Sequence, residues 1–405
     1  MSMKSNGLNM MDVKTQNRSA ILQLIHRSQG ISRKDIARAC GLTPAAITLI
    51  TSDLIGEGLL NETVPEHSLS RKGRKEVILN INQDRYAALG ICIRKQKFHI
   101  ICIDLDYTVL FEDTIYTADC QRQSRAIMDK IVAVTKDYLT RYDVLRAHRL
   151  LGAGVCVNGL VDAQAGISIA SYGIWEDQVH VVSYLTENFG FPVILTNNIC
   201  ALAHGEAFLS NSDSPDDLLF IRYGPGVGAA KMSASDGLNG PDYQSIELGH
   251  TISEPNGHPC VCGNRGCLET IVNYDSIEAS ILPLITAEVM PVLHDLIKGK
   301  PENICMKYVL QSYAAGEWPS VMAMERIIHY LALAIQNAIC LICPKTVILY
   351  GEPFECLPFR EALMQELGKF THTPSVSFSH FSKELNVLGP ATIMIAEFYR
   401  KGGVL

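Results

Sequence analysis

Residues 246–270 read IELGHTISEPNGHPCVCGNRGCLET, and no other stretch constrains the fold of this chain as strongly. Cys260, Cys262 and Cys267 form a Cys-x-Cys-x4-Cys cluster, interleaved with glycines that let a backbone fold round an ion. Most of the other cysteines among the 13 stand singly in apolar runs, as Cys92, Cys102, Cys156 and Cys340 do, and read as reduced core thiols. A disulfide within the cluster would leave an odd thiol. Zinc takes four nitrogen or sulfur ligands in a tetrahedron. The cysteines supply three; His250 or His258 supplies the fourth, and spacing alone does not choose. With every position filled by protein, the site reads as a structural Zn2+ staple rather than a catalytic centre.

A different pattern occupies residues 1–82. A first helical repeat runs from about Val13 to Arg27, with Ile21, Leu22, Leu24 and Ile25 apolar, and Gly30 ends it. SRKDIARAC opens a second helix, in which Ser32 caps and Asp35 sits at capping-box spacing. After a Cys40-Gly41 turn, TPAAITLITSDLIGEG opens a third, with Thr43 as N-cap and Pro44 at the first helical position. Ile47, Ile50 and Leu54 form its buried stripe, so Ala45, Thr48 and Ser52 face outward with Ala46 and Thr51 on the flanks. Two strand-like runs, LLNETV and EVILNIN, follow around a basic tip with Arg71, Lys72, Arg74 and Lys75. Helix, helix-turn-helix and basic wing in this order predict a winged helix-turn-helix that enters the major groove of double-stranded DNA. Candidate contacts are Ser32 and Arg33, then Thr43, Pro44, Ala45, Ala46, Thr48, Thr51 and Ser52, and on the wing Arg71, Lys72 and Arg74.

Charge divides the same way. Residues 1–80 carry 11 Lys and Arg against 7 Asp and Glu, a net +4; the remainder carries 24 against 35, a net −11. A basic head on an acidic body suggests that only the head meets nucleic acid. With 405 residues, 47% of them hydrophobic and 19% charged, the chain can bury a large core. No apolar run reaches the roughly 18 residues of a membrane span. The best candidate, Leu331 to Tyr350, is interrupted by Gln336, Asn337, Pro344 and Lys345. The N-terminus is polar, and a cytoplasmic protein without membrane attachment is expected.

The body alternates strand-rich runs and helices twice over, which suggests two related α/β lobes. The segments expected are 83–195 for the first lobe, completed by about 385–405, and 196–384 for the second. Within PVILTNNICALAHGE, residues 192–206, a short strand meets a helix at Asn197-Asn198. Strand ends facing helix starts are where open α/β proteins hold ligands. Amides there can grip hydroxyl groups but cannot take a proton. GPGVG at 224–228 is a weak phosphate signal, and a turn that needs glycine explains it as well.

The helix-turn-helix, ELGH, HPCVCGNRGCLE and, as support, GVCVNGLVD and GPGVG resemble the ROK family, in particular its branch of sugar-responsive repressors. The resemblance covers essentially the whole chain. It implies an actin/hexokinase-like α/β body of two lobes, zinc ligands His250, Cys260, Cys262 and Cys267, and sugar contacts at Asn197, Asn198, Glu247, His250 and Glu269, with Gly159 in one wall. Two departures from the family's kinases stand out. Their Asp-x-Gly-x-Thr phosphate turn is replaced here by GICIRKQKF, and their Asn-Asp pair by Asn197-Asn198, so the general base is an amide with no usable pKa. The expectation is a regulator rather than an enzyme: a homodimer or homotetramer on operator DNA, released by a sugar or sugar phosphate. The rival readings are a body that answers to a protein partner or another ligand and, less favoured, a sugar kinase.

Overall fold

The computed structural model describes residues 10–64, 77–171, 173–210, 217–233, 242–371, 374–381 and 384–404. The wing residues Arg71, Lys72 and Arg74 lie outside them. The chain divides into two compact units, Met1–Asn211 with Asn386–Leu405, and Ser212–Leu385.

The first unit opens with α1 (Met10–Ser28), β1 (Ile31–Ser32), α2 (Arg33–Cys40), α3 (Pro44–Gly56), β2 (Leu60–Thr63) and β3 (Ile78–Ile81). The capping chemistry is in place. Ser32 Oγ accepts from the Asp35 N–H and donates to its carboxylate, at 3.3 and 2.7 Å. Gly41 closes α2 at φ +64°, and Thr43 accepts from the Ala46 N–H at 3.3 Å. The chain bends by 117° between α2 and α3. The three short strands pair antiparallel in the order β1-β3-β2.

Next come β4 (Tyr86–Arg94), β5 (Lys97–Asp104), β6 (Val109–Tyr116), α4 (Ser124–Arg141), α5 (Val144–Ala147), β7 (Arg149–Val157), β8 (Leu160–Asp162), β9 (Ile167–Ala170), α6 (Val181–Phe189), β10 (Val193–Asn197) and α7 (Asn198–Leu209). The second unit holds β11 (Leu218–Tyr223), β12 (Val227–Ser233), β13 (Asp242–Ile246), α8 (Leu268–Val272), α9 (Tyr274–Ile281), α10 (Pro291–Leu296), α11 (Met306–Ala314), α12 (Trp318–Ile342), β14 (Thr346–Tyr350), α13 (Leu357–Leu367) and β15 (Ser375–Phe378). Helix α14 (Glu384–Arg400) then returns the chain to the first unit.

Both units are built on the same mixed sheet. In the order β6-β5-β4-β7-β10 the first three strands in sequence are antiparallel and the last two parallel, and β13-β12-β11-β14-β15 repeats this. The expected pair of related α/β lobes is therefore present. Their segment boundaries differ from the expectation in two places. The second unit begins at Ser212, not at 196, because α7 buries Ile199, Ala201 and Ala203 within the first unit, where Ala201 packs with Cys92 and Cys156. Nor does the head end as a separate core at 82. Ile21, Ile36, Ile47 and Leu79 share one cluster with Ala88, Ile101 and Ile103 of the sheet and with Phe398 of α14. The nearly buried Arg18 adds a polar tie, donating to the Gly402 carbonyl at 2.8 Å and pairing with Glu57. Gly154 explains how α14 comes so near the sheet: a Cβ there would stand 1.8 Å from the Pro390 carbonyl oxygen.

The reading of apolar runs also needs one correction. Helix α12 is long and apolar enough to cross a membrane, by length and composition. In the structure it supplies Ile327, Leu331, Ile335 and Ile339 to the core of the second unit, and that burial accounts for its apolarity.

A ring cluster forms where head and sheet meet. His26 stacks on Phe208, which stacks on His204, and the Tyr107 hydroxyl is 2.7 Å from His26 Nε2. Burial pushes both imidazoles down to about 4 from 6.5. The folded chain thus binds these protons less well than the unfolded chain. Stability should be full above about pH 6.5 and fall as the pH drops towards 4. Thermal unfolding across pH should show this slope, and it should flatten in His26→Phe/His204→Phe; an equal slope in that variant would refute the assignment.

Candidate functional site

In the second unit, residues 247–270 fold back on themselves. The N–H groups of Ser253 and Glu254 both donate to the Gly266 carbonyl, at 2.8 and 3.0 Å, and short bridges join Ile252 to Cys267 and Pro259 to Arg265. Glu254 anchors the loop to α12, accepting from Arg326 at 2.9 Å and from the Tyr330 hydroxyl at 2.5 Å. This brings one ligand atom each of His250, Cys260, Cys262 and Cys267 within 4.8 Å of one another. His250 Nδ1 lies 3.5 Å from Cys260 Sγ, and Cys262 Sγ lies 3.6 Å from Cys267 Sγ. Edges of this length suit a tetrahedral metal with sulfur bonds of about 2.3 Å. His258 stands outside the cluster and is exposed; its carbonyl accepts from the Gly266 N–H at 2.8 Å. Burial pushes the Cys267 thiol up to about 12, whereas the Asn264 backbone lowers that of Cys262. A cation between them would let all three thiols ionise together.

The other face of His250 points elsewhere. Its Nε2 is 3.7 Å from a Glu247 carboxylate oxygen, so one ring nitrogen serves the thiol cluster and the other the sugar-site candidate. Glu269, in the first turn of α8, is half-buried, and burial raises its carboxyl above the usual range, opposed by the His250 ring. Gly226 of GPGVG and Gly249 of ELGH make room for it: a Cβ would approach its Oε2 to 3.0 and 2.8 Å. GPGVG is the tight turn between β11 and β12, with the Gly224 N–H donating to the Gly226 carbonyl at 2.9 Å.

In the first unit, β10 runs parallel to β7, with Asn197 in register with Val157. The Asn197 side chain caps α7, its Oδ1 accepting from the Ile199 N–H at 2.7 Å, while its Nδ2 donates to the Gly159 carbonyl at 2.6 Å. Only glycine fits at 159, where φ is +116° and a Cβ would stand 2.2 Å from the Ala170 carbonyl oxygen. Asn198, the first residue of α7, is half-buried. Asn158 Oδ1 is buried and has no hydrogen-bond partner among the described residues. At the end of β4 the chain makes a tight hairpin into β5, with Arg94 paired to Lys97 around Lys95-Gln96.

The head presents Thr43, Pro44, Ala45, Thr48 and Ser52 outward, with Ala46 half-buried. Two expected contacts are corrected. Thr51 is fully buried, its hydroxyl donating to the Ile47 carbonyl at 2.8 Å and accepting from Arg33 Nε at 2.9 Å. Ser32 is buried too, because the cap that starts α2 consumes its side chain. Arg33 is half-buried and also pairs with Glu62 at 2.7 Å. The sequence reading passed over Leu49, which is 67% exposed. Its spacing from Ala45, Thr48 and Ser52 was the available signal.

Known proteins resemble the chain in sequence and in fold. The chain is 27% identical over 342 residues to the N-acetylglucosamine repressor of Escherichia coli O6:H1, covering 84% of this chain and 81% of that one. The solved structure of a ROK family transcriptional regulator, a homologue of the E. coli Mlc protein, superposes with a TM-score of 0.76 at 23% identity, over 97% of this chain and 98% of the other. A ROK family glucokinase from Streptomyces griseus, solved with glucose and AMPPNP, matches 76% of this chain and 98% of its own at a TM-score of 0.61 and 20% identity. The body thus has the ROK type of actin/hexokinase-like fold, shared by regulators and kinases alike. The ROK family model matches residues 88–395, well over half of the 405, and on that ground the chain belongs to the ROK family.

Proposed function

We propose that this protein is a sugar-responsive transcriptional repressor of carbohydrate genes, with a winged helix-turn-helix head and no kinase activity. The observation that carries the reading is the pairing of two features in one chain. A capped helix pair offers an uncharged outward face on α3, and the body it joins has the fold of sugar kinases without their phosphate turn. Similarity to a repressor named for N-acetylglucosamine supports the same choice. In this reading Glu247, His250 and Glu269 of the second unit offer hydrogen bonds to the ring hydroxyls of a sugar or sugar phosphate. In the first unit Asn198 and the orphan Asn158 Oδ1 are the polar groups of the same kind, and Asn197 holds the Gly159 turn beside them.

Zinc is the proposed metal. His250 Nδ1 and the sulfurs of Cys260, Cys262 and Cys267 would hold it, and its part is to fix the loop and the orientation of the His250 ring, with no catalytic step. The working form is a cytoplasmic homodimer or homotetramer on a near-palindromic operator. A sugar releases DNA only if it binds the DNA-free arrangement more tightly than the bound one.

The test is a panel of neutral sugars and sugar phosphates. The true effector should raise the thermal midpoint of the full-length protein and weaken its grip on a duplex selected from a random library. Stabilisation by none of them would favour a body that answers to a different ligand or partner. ATP-dependent phosphorylation of any member would sink the non-enzymatic reading.

A further inference from the structure

We infer that Leu49 makes α3 a reader of thymine methyl groups, so that the operator half-site carries thymine where Leu49 meets the major groove. This rests on the DNA-binding reading above and gives that site its sequence class. Helix α3 reads PAAITLITSDLIG and contains no Arg, Lys, Asn or Gln, the side chains that grip guanine or adenine edges by two hydrogen bonds. No Lys or Arg occurs anywhere from residue 39 to residue 70. Arg33, at the start of α2, is occupied by Thr51 and Glu62.

The hydroxyls on the outward side of α3 are partly spent as well. Thr48 donates its proton to the Pro44 carbonyl at 2.8 Å, and Thr43 accepts the Ala46 N–H. What remains facing outward is methyl: Ala45, the Thr48 methyl and, largest, Leu49, with the Ser52 hydroxyl beyond. Leu54 on the same helix is fully buried, so the exposure of Leu49 is particular to this face. The thymine C5-methyl is the apolar group that the major groove displays. A single leucine is matched to one such methyl and is far smaller than a stable protein interface, while Lys34 and Arg38 on the preceding α2 are exposed and offer charge to DNA phosphates.

The experiment uses the full chain and a duplex enriched from a random library, in which each thymine is replaced in turn by deoxyuridine, removing one methyl and nothing else. For the wild type we expect one position per half-site where Kd rises about four-fold, the worth of one buried methyl group. Leu49→Ala should bind the thymine duplex more weakly and show no further loss on uracil there. Leu49→Lys should keep DNA binding through its charge but lose the preference for thymine. If no uracil substitution affects the wild type, or if Leu49→Ala keeps the full sensitivity, the inference falls while the DNA-binding reading stands. If no duplex is enriched at all, both fall together.

Discussion

Replacing Cys267 by serine should strip the metal and lower the thermal midpoint by roughly 10 °C. Cys267 is the fully buried member of the ligand set, and it also bridges to Ile252. Loss of a metal site belongs to the small group of changes costing about 3–5 kcal/mol. For a unit of this size each kcal/mol moves Tm by about 2–4 °C. The hydroxyl is a poor zinc ligand, so two thiols and an imidazole would be left packed within a few ångströms without the cation that makes their ionisation favourable. The effect should extend beyond stability. His250 belongs to the cluster and Glu269 follows Cys267 by two residues, so stabilisation by the sugar should shrink in step with metal content. Elemental analysis gives the metal-to-protein ratio, and a melting curve gives the rest. Val261→Ser is the control, because Val261 lies between two of the ligands but is 82% exposed. It should leave both readings unchanged. A wild-type protein that carries no zinc, or a Cys267→Ser protein that melts with the wild type, would defeat the assignment.

The sequence disclosed this site more completely than it disclosed the fold around it. Cysteine spacing is a local property, and so are the caps: Ser32 with Asp35, Thr43 with Pro44, and Gly41 at φ +64° all stand as the sequence implies. Those signals need only a few neighbouring residues. What could not be read depends on distant partners. Periodicity separates the faces of α3 but cannot say that Arg33, 18 residues earlier, covers Thr51. The sequence reading opens the second lobe just before α7, yet that helix packs on Cys92 and Cys156 of the first sheet and against α14, nearly two hundred residues on. Gly389 of α14 is so close to Ala201 that a Cβ there would stand 2.7 Å from its carbonyl oxygen. The head boundary failed for the same reason, since Phe398 and Gly402 come from the far end of the chain.

The neighbouring asparagines supply the second large effect, and they should separate cleanly. Asn197→Ala removes a helix cap worth about 1 kcal/mol. It also leaves the Gly159 carbonyl without its donor, at a further cost of about 1–3 kcal/mol for a buried group. A fall in Tm of roughly 5–15 °C follows, with sugar binding weakened because the Gly159 turn is no longer held. Asn198 stands one residue on and only half-buried. Asn198→Ala should change stability by no more than about 0.5 kcal/mol, while reducing the shift that the sugar produces. Asn198→Asp puts a carboxylate in the first turn of α7, where the helix dipole favours it by about 0.3–1 kcal/mol, so this variant should melt at or slightly above the wild type. It supplies a base of the kind the resemblance ascribes to the family's kinases, yet GICIRKQKF still lacks their Asp-x-Gly-x-Thr phosphate turn. A coupled assay for ATP consumption should therefore stay silent with every sugar that binds. Equal melting of Asn197→Ala and Asn198→Ala would show that Asn197 is a ligand contact rather than the peg that holds the turn. Turnover by Asn198→Asp would show that a single amide separates this protein from an enzyme.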